Sequence, residues 1–459
     1  MADVKSMCWI IPESIDLEEI LMKDPPNFKY KIDYFYYFID LIVEASGLED
    51  LDNDSGYVKL QAKRLQQFTH EYNKYLDYLR RKFVHRSKKY IVGKESFGYR
   101  ISLKSDLKGL KAIPISDFKI RQKIKKLYKE EQRVIQKVSK KHHHLTKWFN
   151  KHLTIEEEKS RQKVDELLPY KPAKGMIWGE IKGKPSNVAK RYKALSAIQK
   201  IVTQDFYYSV DENIGRFHSN VANIKKELRA FIRYDGQKLV NIDIKNSQPL
   251  FSTLLLSEAF YNKHSKPINI YNIPSVLPLL SPPSDKHISS IRHYIMIVKT
   301  SEKQYSKGFR RYNKLVSSGD FYKKISSVIA PKMPFDKAAM KTMMFMVFFS
   351  SNRFIGQPQA QFKRLFRAHF PEVYEVFKRI KKGNHAALSH LLQRIESNII
   401  VELASRRIAE ERPEVPIFTV HDSIATTVGN EEYIEAVIEE EIFGYTGLKV
   451  KLGREYWTD

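Results

Sequence analysis

Cysteine is almost absent. Cys8 is the only one among 459 residues, so no internal disulfide can form and a secreted disulfide scaffold is excluded. Acidic residues are in deficit, with 53 Asp plus Glu against 79 Lys plus Arg and a formal charge of +26. Long apolar runs are missing too. The most apolar stretch, Met343 to Phe349, falls far short of the roughly 20 residues that cross a bilayer. The opening Met-Ala-Asp-Val-Lys has no apolar segment of the signal-peptide kind. Disorder is excluded by what is present, since 42% hydrophobic and 12% aromatic residues against 29% charged give a chain that can bury a core. The expectation is a soluble protein of a reducing compartment with no membrane partner and a length suited to roughly three domains.

So large a positive charge is most simply an electrostatic footprint for a polyanion, because each Lys or Arg that meets a phosphate releases condensed counterions. The competing explanation is a lysine-rich surface that only keeps the protein soluble. Charge alone names no chemistry.

Along the chain, helical signal over Tyr34 to Val43 and Leu60 to Val84 is followed by a strand-like pair, Lys89 to Val92 and Phe97 to Leu103, as in a small α+β unit. From Lys119 to Lys151, Ile, Leu and Val return at helical spacing between basic residues, which predicts a long basic helix or helix pair. Thr154 with Glu157 is a capping-box pattern that would open the next helix. Tyr170 to Pro185 has loop character. His142, His143 and His144 invite a metal reading, but consecutive positions on a helix face different ways, so exposed basic decoration is expected instead. No internal repeat is evident.

After Gln204 the character changes. Lys238 to Ile244 is a buried-strand pattern carrying Asp243, and Pro416 to Val428 is two β-branched runs with His421-Asp422 at the bend, a hairpin with an acid at its tip. Two carboxylates on adjacent strands could hold a pair of Mg²⁺ ions, the arrangement that serves phosphoryl transfer. An Asp after a strand is also an ordinary turn residue, so the segment between them matters. There, Lys337, Lys341, Phe345 and Phe349 recur every fourth residue and lie close together on one helix face, two cations followed by two rings. That face could grip a triphosphate and stack on a base, although an apolar stripe of this kind can equally face a core.

Taken in order, these blocks resemble the family A DNA polymerases and the related phage-type single-subunit RNA polymerases. Gly215-Arg-Phe-His-Ser219 resembles the family's Gly-Arg element that touches the primer-template, and Val240-Asn-Ile-Asp243 resembles motif A. Lys337-x3-Lys341-x3-Phe345-x3-Phe349-Ser350 resembles motif B, usually Arg-x3-Lys-x3-Phe-x3-Tyr-Gly; Val420-His421-Asp422-Ser423 resembles motif C. Softer matches are Leu392 to Ile400, like the Gln-bearing helix before motif C, and Gly319-Asp-Phe-Tyr322, like an element ahead of motif B. The resemblance covers residues 205–459.

It implies a mostly helical α+β fold with palm, fingers and thumb: an N-terminal α+β domain over 1–115, a basic thumb-like region over 116–205, palm over 206–256 and 386–459, and fingers over 257–385. It implies that Asp243, the Ile244 carbonyl and Asp422 bind two Mg²⁺ ions, with Mn²⁺ as a possible substitute. Lys341 would neutralise the triphosphate and protonate the leaving pyrophosphate, beside Lys337, Phe345, Phe349 and Gln248 around the nucleotide. Arg216 and Gln393 would meet minor-groove acceptors that every correct pair offers, and His421 would sit near the primer terminus. Each of these also has an ordinary structural explanation.

The departures bear on the sugar. Phe349 lacks the hydroxyl of the family's Tyr and Gln248 is large enough to crowd a 2′-OH, which favours deoxynucleotides; Ser423 points the other way, because His-Asp-Ser is typical of the RNA polymerases. Lys337 stands where the family has Arg, a point charge for a fork, and Ser350 replaces Gly. The N-terminal residues hold no acidic exonuclease motif, so no proofreading is expected. Primer-template nucleic acid and nucleoside triphosphates are the implied partners, in the cytoplasm of a bacterial or phage-infected cell; protein partners are left open. A single-subunit RNA polymerase or primase-like enzyme, and a DNA-binding replication protein that joins no nucleotide, remain alternatives. Template type and the role of 1–115 stay open.

Overall fold

The computed structural model describes residues 8–46, 57–87, 96–101, 109–127, 129–168, 187–280, 285–300, 305–332 and 334–458. The fold is α+β and mostly helical. The chain forms two compact units, the first from Met1–Ser209, Ser219–Lys238 and Trp457–Asp459, the second from Val210–His218 and Leu239–Tyr456. None of the described helices is long and apolar enough to cross a membrane.

In the first unit the helix Ile32–Ser46 lays Phe35, Phe38, Ile39 and Ile42 into an aromatic core, where Phe35 meets Tyr75 edge to face at 4.7 Å and Tyr37 stacks on Phe68 at 3.6 Å. Small antiparallel sheets flank it: Cys8–Pro12 with Leu110–Pro114, and Gly98–Ile101 between Val58–Lys59 and Val84–Arg86. The basic stretch forms the expected helix pair, Phe118–Leu127 and Lys129–Lys141. The strand expected at Lys89 to Val92, the end of the one expected to run to Leu103, and the loop at Tyr170 to Pro185 lie outside the described residues.

Two local expectations are corrected. Thr154 caps no helix: it lies in the strand Leu153–Ile155, paired with Arg233, and the following helix starts at Glu157 without a side-chain cap. Long-range strand pairing has overridden the local signal. The three histidines are not uniformly exposed decoration either. His143 is exposed but His142 is buried, because its backbone both ends one helix, donating to Val138, and opens the next turn, accepting from Leu145 and Thr146.

The second unit is built on an antiparallel sheet. Its central strand, Gln237–Ile244, is flanked by Ser423–Thr427 on one side and Leu452–Tyr456 on the other, with Ile417–Val420 outermost beyond Ser423–Thr427. Leu239, Val240, Ile242 and Ile244 are all buried, so neighbouring positions on opposite faces are both covered, as a central strand requires. Helices fill the sequence between the strands. Lys337–Phe349 packs on Phe321–Ile329 and Gln361–His369, and Ala387–Ser397 packs on the short helix Ser247–Ser252 that follows the central strand. Ala387–Ser397 runs on through a π-helical segment, Asn398–Ala404, a form that often marks functional positions.

Candidate active site

Strand register brings the two aspartates together. Asp243 lies opposite Ser423 in the antiparallel pair, and Asp422 is the residue just before that partner. His421 and Asp422 form the two-residue tip of the hairpin, closed by the Val420 to Ser423 pairing. So tight a loop needs a left-handed residue, and His421 takes it with φ at 58°. A non-glycine there costs about 1–3 kcal/mol, a strain typical of functional positions. The buried Ser423 hydroxyl donates to the Val420 carbonyl at 2.7 Å and locks the turn.

The central strand then leaves through Asn246, also left-handed at φ 56°, into the helix that begins at Ser247. Ser247 Oγ donates to Asp422 Oδ2 at 2.7 Å, so the first residue of the helix after the first acid's strand orients the second acid. Asp243 is half-buried. Its carboxyl is raised above the usual range by burial and then by the charge of Asp422, while Lys245, 3.4 Å away, opposes both effects. Opposite Asp243 across the other ladder is Gly453. A Cβ there would run into the Lys245 side chain, so the glycine gives that lysine its path to Asp243.

A third carboxylate was not picked out from the sequence. Glu396, on Ala387–Ser397, is 1% exposed and pairs with Arg216 Nη2 at 2.7 Å. Burial and the charge of Asp422 push it up to about 7, against the pull of Arg216 and of the adjacent Ser247 hydroxyl. Serine has one proton to give, and Asp422 takes it; Glu396 Oε1 is left without a hydrogen-bond partner among the described residues. The same helix staples the turn that carries Arg216: Arg394 donates to the Glu212 carbonyl, and Ser397 to that of Ile214. Gly215 (φ 73°) fits against that helix, where a Cβ would meet Arg394 and Ser397. Arg216 is therefore held by a carboxylate, and Gln393 is half-buried one turn before that carboxylate.

The Lys337–Phe349 helix is capped by Asp336, which accepts from the Ala339 amide at 2.7 Å. Lys337 and Lys341 are exposed on its first two turns, the positive end of the helix dipole, where a cation is unfavourable by about 0.3–1 kcal/mol and an anion is welcome. Further along, Phe345 is 61% exposed and stacks on half-buried Phe349 at 4.6 Å with planes 14° apart. Tyr322 links this helix to the acids: Lys341 Nζ lies 5.9 Å from its ring, and its phenol is raised to about 12 by burial and then by Asp422.

The far end of that helix holds a second pair of groups without a sequence signal. Lys363 Nζ donates to Ser350 Oγ (2.9 Å) and the Ser351 carbonyl (2.7 Å); Lys381 Nζ donates to the carbonyls of Val347 (2.7 Å) and Ser350 (3.1 Å). Both are buried, and cations belong at the C-terminal carbonyls of a helix. Burial lowers Lys363 to about 8, and burial together with Lys363 lowers Lys381 to about 7. Ser350, in place of glycine, adopts ordinary extended backbone (φ −79°, ψ 152°) and bonds back to the Met346 carbonyl.

The donor set fits hard divalent cations. Mg²⁺ is typically held by one or two carboxylates together with substrate phosphates, and Asp243 and Asp422 are two acids whose mutual repulsion a cation would relieve. Ile244, whose carbonyl is the third expected ligand, ends the same strand opposite Leu452. Among the described residues no group of three or more His, Cys, Asp or Glu could hold a metal by itself.

No protein-family model matches the chain, and no curated protein does. Among solved structures, one that is similar is the POL domain of Pol1 from M. smegmatis in complex with DNA primer-template and dNTP, at 12% identity over 74% of each chain with a TM-score of 0.33. The functional reading rests on the site itself.

Proposed function

We propose that this chain catalyses template-directed nucleotidyl transfer, extending a primer 3′ end with deoxynucleotides and without proofreading, as a divergent relative of the family A DNA polymerases. The observation that carries this reading is the strand register that sets Asp422 beside Asp243. In this reading the sheet of the second unit is the palm (206–256 and 386–459), residues 257–385 are fingers, and 116–205 act as thumb.

Asp243, Asp422 and the Ile244 carbonyl would hold the metal ions. Two Mg²⁺ bound there would activate the attacking oxygen and stabilise the leaving one. Ser247 donates to Asp422 and helps orient its carboxylate. Lys337 and Lys341, on the positive end of their helix, would take the triphosphate, and Lys341 would give its proton to the departing pyrophosphate. Phe345 offers an open ring face to the base. Gln248, half-buried immediately after Ser247, would crowd a 2′-OH. Ser423, the feature shared with RNA polymerases, is occupied in closing the hairpin, so it supplies no independent argument for ribonucleotides.

The test is extension of a labelled primer on DNA and RNA templates with Mg²⁺, comparing dNTPs with rNTPs and wild type with Asp422→Asn. Template-directed extension that the variant loses is the expected result. Tight, salt-sensitive binding with no extension under any combination would leave a binding protein and end the catalytic reading.

A further inference from the structure

The first unit holds a groove of about 810 Å³, within the roughly 300–1,000 Å³ of ligand clefts. One helix and one edge strand furnish most of its wall. The helix Tyr72–Lys82 buries Tyr75, Leu76, Tyr78 and Leu79 and turns Lys74, Arg80 and Arg81 outward; the strand Val84–Arg86, at the edge of its sheet, adds His85 and Arg86. Lys74 and Arg81 are seven residues apart, two turns along the same face, about 10 Å. The groove contains one acid, Asp77, and it is already paired with Arg80 at 2.7 Å.

Two guanidiniums have no such partner. Among the described residues neither Arg81 nor Arg86 has a carboxylate within ion-pair distance; Arg81 lies on Tyr78 at 5.7 Å with Asp24 acting on it from farther off, and Arg86 lies on Phe97 at 4.3 Å and hydrogen-bonds the Tyr99 phenol. A guanidinium carries five N–H donors, so a ring contact, or a ring contact and one phenol bond, still leaves donors for an anion. Phe28, half-buried on the groove wall, is braced edge to face by Tyr75 at 5.2 Å. Anchored cations beside a fixed aromatic wall suit alternating phosphates and bases.

We propose that this groove binds single-stranded nucleic acid, with Arg81 and Arg86 on phosphates and Phe28 against a base. An acidic peptide would use the cations but gain little from the ring. The site needs neither aspartate, so it stands apart from the nucleotidyl-transfer reading.

The experiment is fluorescence anisotropy of a labelled oligothymidylate strand with the full-length protein over a range of salt concentrations, with folding of each variant checked by circular dichroism. Arg81→Ala/Arg86→Ala is expected to weaken binding about tenfold and to flatten the slope of log K against log salt by about 1.4, since each single-strand phosphate contact contributes roughly 0.7. Phe28→Ala is expected to weaken binding by about 5- to 150-fold with the slope unchanged, as loss of a stacked base does. An unchanged salt slope in the double arginine variant would overturn the proposal. So would displacement of the oligonucleotide by polyglutamate at equal charge concentration, which would assign the groove to an acidic peptide.

Discussion

Arg216 and Glu396 are 180 residues apart in sequence and 2.7 Å apart in space, one on a surface turn and the other nearly sealed from solvent. Removing the arginine alone would strand a buried carboxylate, a change that typically costs about 3–5 kcal/mol. Because Glu396 can take up a proton, the cost should shrink in acid. Arg216→Ala is expected to lower the denaturation midpoint more at pH 8 than at pH 6, measured by urea titration. An equal loss at both values would show that the pair is not where the energy lies.

Glu396 also makes the wild-type protein pH-sensitive by itself. Its folded value of about 7 lies above the ~4.3 of a free glutamate, so the native state binds a proton that the unfolded state has released. Its stabilising contribution is full below the unfolded value and is lost as pH rises through 7, with a span of about 4 kcal/mol. Glu396→Gln should therefore flatten the fall in melting temperature between pH 5 and pH 8. The buried lysines carry the opposite sign. Lys381 and Lys363 sit well below the ordinary lysine value, so the native state sheds protons that the unfolded chain keeps, and stability rises from pH 7 towards pH 10. Lys381→Met should reduce that rise.

Helix Lys337–Phe349 separates stability from function along its length. Phe345 is mostly exposed, so its truncation should change stability by no more than about 0.5 kcal/mol. Stacked bases lose about 1–3 kcal/mol when the ring goes, which predicts a nucleotide KM roughly 5- to 150-fold higher for Phe345→Ala. Steady-state kinetics alongside thermal melting decides it. A large drop in melting temperature, or an unchanged KM, would make Phe345 packing rather than platform.

The legibility of the molecule follows the range of its interactions. Asp243 and Asp422 were visible because each ends or interrupts an apolar β-branched run, and the run itself is the strand that registers them. The Lys337–Phe349 stripe was visible because a four-residue spacing is local. Glu396 was hidden in a segment noted for Gln393, with no local pattern to single it out, and only the fold brings it to Asp422. Lys363 and Lys381 read as surface charges in a basic chain; nothing local reveals that they end on the carbonyls of a helix earlier in the sequence. Thr154 was misread for the complementary reason, a local cap pattern outcompeted by pairing with Arg233.

In the proposed function, Gln248 would carry the sugar preference. It follows Ser247, whose hydroxyl is committed to Asp422, and is half-buried on a helix of six residues with most of its other side chains buried. Shortening it removes bulk without touching the acids. Gln248→Ala should raise kcat/KM for rNTPs relative to dNTPs by about 10- to 200-fold, the range available to a purely steric contact, and leave dNTP incorporation within a few-fold of wild type. Phe349→Tyr, which adds a hydroxyl beside the Phe345 ring, should move the ratio by hydrogen bonding instead of by size, so the double variant tests whether the two act separately. Single-nucleotide incorporation with matched dNTP and rNTP gives the ratio directly. If Gln248→Ala lowers both rates equally, the side chain positions Ser247 and Asp422 and the discrimination lies elsewhere.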